Sequence, residues 1–69
     1  NKMTLSYDKL WKLMIENKMN RRELAMAAEI SANTVTKLGK NEVVSLEVLM
    51  RICKVFHCDI GDIMEVIED

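Results

Sequence analysis

The amino-acid sequence predicts an all-α fold, a compact five-helix bundle, on three observations. The 69 residues contain no proline and only two glycines, so little interrupts a helix except where the chain turns. Apolar residues recur at i, i+3, i+4 and i+7 in successive segments, and a hydrophobic fraction of 49% excludes a disordered chain. Asparagine, serine and aspartate, the residues that cap helices, stand just ahead of several of those segments. Neither strand-like alternation nor an internal repeat is evident.

Helix 1 is expected from about Ser6 to Asn17, where Tyr7, Leu10, Trp11 and Met14 form one stripe and Leu13 and Ile15 widen it. An arc that broad is covered by helices on two sides or, alternatively, by a second copy of the chain. Helix 2 begins at Asn20, whose side chain and that of Glu23 three places on can each satisfy the other's backbone N–H in a capping box. Met19 and Leu24 stand where a hydrophobic staple closes, and Leu24, Ala27 and Ala28 offer a narrow packing face.

Ala28, Glu29 and Ile30 turn the chain, and Ser31 caps helix 3. There Val35 and Leu38 form the inward pair, with Ala32, Asn33, Thr36 and Lys37 off it, and Gly39 is placed to end the helix in the left-handed conformation. Two capped helices of about two turns, joined by about three residues, fit a helix-turn-helix. After a loop from Lys40 to Val44, Ser45 caps helix 4, with a stripe of Leu46, Leu49, Met50, Cys53 and Phe56. Helix 5 starts at Asp59, with Asp62 as its capping-box partner and Cys58 and Ile63 as staple. Its apolar face is Ile60, Ile63, Met64 and Ile67.

One domain, residues 3–69, accounts for the chain, with Asn1 and Lys2 ahead of Met3 set aside from function. The net charge of −1 and pI of about 5.8 argue against holding nucleic acid by bulk attraction. The charge is unevenly placed, however. Residues 1–40 hold eight Lys or Arg against four Asp or Glu, a net of +4, whereas residues 41–69 hold two against seven, a net of −5. The basic part contains the two-helix unit. Two cysteines and no signal-like or membrane-length apolar run lead to the expectation of a reducing cytoplasm.

From Asn20 to Leu38, then through Ser45-Leu46-Glu47-Val48-Leu49, Ile52-Cys53 and Asp59-Ile60-Gly61-Asp62-Ile63, the chain resembles the Cro/C1-type (XRE-like) helix-turn-helix domain of phage and bacterial repressors. It is most similar to the small single-domain branch, over about residues 5–67. The resemblance implies a lambda-repressor-like five-helix bundle with the helix-turn-helix at helices 2 and 3, and helix 3 in the major groove of double-stranded DNA. Ala32, Asn33, Thr36 and Lys37 match the family's base-reading positions. Asparagine can pair with adenine, lysine with guanine O6 and N7, and the alanine or threonine methyl can touch a thymine methyl. Arg21 matches a phosphate-contacting position, with Arg22, Ser31, Thr34 and Lys40 as further phosphate candidates.

Three departures from the family's pattern involve four positions. Glu29 stands where glycine is usual in the turn, which implies a looser turn, because the left-handed region costs a non-glycine residue roughly 1–2 kcal/mol. Gly39 and Met14 occupy the places of a common glutamate–arginine pair, so neither charge is left without its partner. Asn41 replaces a common glycine, and asparagine tolerates the left-handed region.

Cys53, His57 and Cys58 invite a metal or redox reading, but no fourth ligand is evident and both cysteines hold apolar positions, so they read as structural thiols without a metal or cofactor. Met14, Met19, Met50 and Met64 read as core filling, and Met26 as partly exposed. The lone histidine lacks a nucleophile partner and no glycine-rich phosphate loop exists, so an enzyme is disfavoured and no small-molecule ligand is expected. Glu65, Glu68 and Asp69 form an acidic tail. Two classes of function remain. One is a sequence-specific transcriptional regulator, a repressor acting as a homodimer on half-sites roughly 34–36 Å apart. The other is an antitoxin-like or accessory interaction module whose acidic half binds a basic partner. Ile60, Ile63, Val66 and Ile67 are either dimer contacts or core.

Overall fold

The computed structural model describes residues 3–68. Asn1, Lys2 and the Asp69 end of the acidic tail lie outside the described residues. The order of elements is strand β1 (Met3–Ser6), helices α1 (Asp8–Glu16), α2 (Arg21–Ala28), α3 (Ala32–Gly39) and α4 (Leu46–Phe56), a 3-10 turn (Ile60–Asp62) and strand β2 (Glu65–Glu68). The expected all-α bundle of five helices is therefore corrected to four α-helices and a two-stranded antiparallel sheet among the described residues. Its register pairs Met3 with Glu68, Thr4 with Ile67, Leu5 with Val66 and Ser6 with Glu65.

The fifth helix fails for a local reason and a distant one. Its start is as expected, for the Asp59 N–H donates to Asp62 Oδ2 at 3.0 Å, and Ile63 is sealed in the core. Beyond it the β-branched pair Val66 and Ile67 favours extended backbone, and β1 supplies a ladder of backbone partners. Helix 1 correspondingly starts later than Ser6. Ser6 is buried in the strand, yet its Oγ still accepts the Asp8 N–H at 3.2 Å and so tends the new helix start.

Along α1, Tyr7, Leu10 and Met14 enter the core as expected, Trp11 and Leu13 pack at its margin, and Ile15 is 76% exposed, so the arc widens on one side only. The Tyr7 hydroxyl donates to the Glu42 carbonyl at 2.8 Å, and the Tyr7 N–H to Asn41 Oδ1 at 3.3 Å. These bonds tie the α3–α4 loop to the beginning of α1.

The caps of the next three helices form as the sequence indicates. The Asn20 N–H donates to Glu23 Oε1 at 2.9 Å, and the Glu23 N–H to Asn20 Oδ1 at 2.8 Å. Ser31 Oγ accepts the Thr34 N–H at 3.2 Å, and Ser45 Oγ accepts the Val48 N–H at 3.3 Å. Leu24 and Ala28 of α2 and Val35 and Leu38 of α3 are buried, whereas Ala27 is exposed. On α4 the inward residues are Leu49 and Ile52, and Leu46 and Met50 are 61% and 59% exposed. The expected stripe is thus rotated. The helix carries two interlaced apolar rows, and α2, which packs against it, selects the one containing Ile52.

Gly39 does not take the left-handed conformation. It is the last residue of α3, and Asn41, at φ 57°, makes the reversal instead. Glu29 adopts φ 57° and ψ 46°, so the turn closes in the usual left-handed geometry rather than loosening. Arg51 of α4 holds it there, Nη1 donating to the Glu29 carbonyl at 2.8 Å while Nη2 pairs with Glu47 at 2.8 Å. Because that bond uses only backbone at residue 29, Glu29→Gly should keep it while removing the steric cost. The expected gain is about 1 kcal/mol, seen as a higher urea midpoint with an unchanged slope. A midpoint equal to or below wild type would show that Glu29 is not strained.

Candidate nucleic-acid interface

Burying Val35 and Leu38 leaves one continuous outer face on α3. Ala32, Asn33, Thr36 and Lys37 are all exposed on it. Asn33 and Lys37 are spaced i, i+4, so the amide and the ammonium share one side of the helix, and Lys40 follows as its exposed C-cap. The Thr36 hydroxyl donates to the Ala32 carbonyl at 3.1 Å, which commits its proton to the helix and leaves lone pairs and a methyl to offer. At the other end, Ser31 Oγ and Thr34 Oγ1 lie 2.9 Å apart and share a hydrogen bond, so the pair retains one uncommitted O–H.

The start of α2 approaches this face. Arg21, Arg22, Ala25, Met26, Ala32, Val35 and Thr36 line one open cleft of about 330 Å³ between α2 and α3. Met26 is 71% exposed at its edge, as its sequence position suggested. With Asn20 Oδ1 taken up by the Glu23 N–H, the N–H groups of Arg21 and Arg22 at the first turn have no helical partner and carry the positive end of the helix dipole. Among the described residues the ion pair is Arg51–Glu47, and Arg21, Arg22, Lys37 and Lys40 form none. The four cations therefore stand unneutralised beside the α3 face, although the chain as a whole is slightly acidic.

The model of the Cro/C1-type helix-turn-helix DNA-binding domain family matches residues 9–69. The chain belongs to that family. Over its length it is similar to the transcriptional regulator VanUg in a crystal structure (form II), with 49% sequence identity and a TM-score of 0.92, covering 100% of this chain and 92% of that one. Among curated proteins none matches the chain. Among the described residues no helix is long and apolar enough to cross a membrane.

Within this Cro/C1-type domain, three further residues hold the α2–α3 surface in place. By spacing Trp11 belongs to the core stripe, yet its ring lies under the Arg21 guanidinium, 4.8 Å from Cζ to the ring centroid. By position Gly39 is a cap residue, yet a Cβ there would stand 3.0 Å from Arg21 Nη1. Arg51, one of two cations in the acidic half of the chain, holds the turn. A lone tryptophan one turn into helix 1 and a glycine inside the last turn of α3 were the only traces in the sequence. Of the acidic residues assigned to a basic partner, Asp62 is engaged in the turn that begins at Asp59.

Cys53 and Cys58 are half-buried free thiols, with the Cys58 N–H donating to the Cys53 carbonyl at 3.1 Å. No group of three or more metal-ligating residues forms among the described residues. Burial pushes the Cys53 thiol up to about 11, helped by adjacent Cys58 and by the charges of Asp59 and Asp62, and burial also raises Cys58. The folded state thus holds the Cys53 proton above the ordinary thiol value of 9.0, so this stabilising contribution is complete below about pH 9 and is lost as pH rises towards about 11. Thiolate absorbance should show a late midpoint for Cys53, with slow alkylation at neutral pH in the folded state and fast alkylation in urea. Equal alkylation rates in both states would contradict the burial.

Proposed function

We propose that this chain is a sequence-specific DNA-binding transcriptional regulator that seats α3 in the major groove, with Ala32, Asn33, Thr36 and Lys37 reading bases and Arg21, Arg22, Ser31, Thr34 and Lys40 contacting phosphates. The observation that carries this reading is the division of α3, in which two side chains anchor the helix and a solvent-exposed row of hydrogen-bonding groups faces away. A base edge in the major groove is distinguished by donors, acceptors and the thymine methyl, and this face offers an amide, an ammonium, a hydroxyl oxygen and two methyl-bearing side chains. The α2 N–H groups and the unpaired arginines fit the backbone contacts that set register without reading sequence.

Repression is the mode that occupancy alone delivers, because a domain seated on a promoter obstructs it without a further contact. A homodimer fits the same reading, doubling a site of a few base pairs into one of useful length. Ile63, sealed in the core, is not available to a dimer, whereas exposed Val66 on β2 lines one open cleft with exposed Met3 and Val43. Those three side chains supply the apolar surface for a second copy.

Selection from random duplex DNA, followed by titration on the selected site, tests the proposal. Lys37→Ala should cost about 1–3 kcal/mol and relax preference at one base pair. Arg21→Ala should weaken binding to all duplexes alike and reduce the salt slope by about one counterion. Selection that enriches no sequence, or affinity independent of salt, would overturn the assignment, and sedimentation of a monomer on a single half-site would overturn the dimer.

A further inference from the structure

We infer that Trp11 and Gly39 are positioning residues for Arg21, holding its guanidinium in place before DNA arrives; this rests on the phosphate role proposed for Arg21. Arginine on a protein surface is ordinarily a mobile side chain, and Arg21 is exposed with no carboxylate partner among the described residues. Its position is set instead by two other elements. The Trp11 ring of α1 lies 4.8 Å from Cζ, within the range of a cation–π contact. On α3, a Cβ at Gly39 would lie 3.0 Å from Nη1 and 3.4 Å from both Cζ and Nη2, so the whole guanidinium end rests where glycine leaves room. The side chain rooted at the first residue of α2 therefore spans α1 and the last residue of α3.

The chemistry of the stack suits a phosphate clamp. A guanidinium carries five N–H donors, so a contact centred on Cζ over one ring leaves donors for other partners. Lysine at the same place keeps the charge but has no plane to stack. Part of the ordering cost that a free arginine meets on binding is met here during folding, which raises affinity without adding a contact to DNA. The same bridge fixes the start of α2 relative to the end of α3, the two places from which backbone and base contacts are proposed.

Two substitutions remove the device from opposite sides. Trp11→Leu keeps an apolar side chain and deletes the ring face, and Gly39→Ala puts a methyl into the guanidinium's place while favouring the helix in which it sits. Each should weaken binding to the selected duplex roughly two- to fivefold at low salt, and each loss should vanish in combination with Arg21→Ala. Arg21→Lys should keep the salt slope and lose affinity like Trp11→Leu. Trp11 is the only tryptophan, so its fluorescence reads the stack in DNA-free protein: Arg21→Ala should increase quenching by acrylamide while helical circular dichroism stays unchanged. If Trp11→Leu folds poorly, Gly39→Ala decides alone, since stability should hold while binding falls. Losses that persist alongside Arg21→Ala, or quenching that does not change, overturn the positioning role while leaving the phosphate contact standing. An Arg21→Ala variant with the wild-type salt slope overturns both.

Discussion

The shared burial of Leu24, Leu38 and Ile52 is the constraint on which the rest of the structure depends. Each is fully shielded from solvent, and they belong to one core cluster fed by α2, α3 and α4. A chain of 69 residues has room for a single core, so each helix can spend one face on it and no more. For α3 that face amounts to Val35 and Leu38, each worth about 1.5–3 kcal/mol of burial. So small an anchorage leaves most of an eight-residue helix open to solvent, and it leaves the aim of that helix dependent on what holds its ends.

The ends are held by short polar contacts, some within three or four residues and some between distant elements. Ser31 caps the start of α3, and the turn before it is fixed by Glu29 in a conformation that costs a glutamate roughly 1–2 kcal/mol. Arg51 offsets that cost with a charge-assisted bond to the Glu29 carbonyl, and Glu47 steadies the arginine in turn. At the far end Asn41 reverses the chain and its side chain accepts from the Tyr7 N–H, so the loop leaving α3 is fastened to α1. Small shifts in any of these would swing α3 about its two-residue anchor, which on the proposed reading links the turn chemistry to DNA docking.

What the sequence discloses about this arrangement divides by distance along the chain. Asn20 with Glu23, Ser31 with Thr34, and Ser45 with Val48 are contacts three residues apart, and their residue types announce them. The outer face of α3 was legible for a similar reason, since only one pairing of apolar residues fits its short helix. The sheet was not legible, because Val66 and Ile67 fit a helical stripe equally well until β1 pairs with them from the other end of the chain. On α4, LEVLMRICKVF carries two apolar rows and only packing against α2 chooses between them. Trp11, Gly39 and Arg51 escaped for the same cause: each acts on a residue at least ten positions away, where spacing carries no signal.

The acidic balance of the chain makes that long-range placement matter more. A protein with a net charge of −1 gains little from nonspecific attraction to a polyanion, and exposed charges separated by more than about 8–10 Å are screened from one another at physiological salt. On the proposed reading, affinity comes from a few cations set close to phosphates. Asp59, Asp62, Glu65 and Glu68 lie in the 3-10 turn and β2 segment, whereas Arg21, Arg22, Lys37 and Lys40 lie on α2 and at the end of α3. With four basic side chains beside α3, one that is ordered in advance would on that reading contribute more than its charge alone, and a tryptophan beneath an arginine achieves that ordering without a carboxylate that would cancel it.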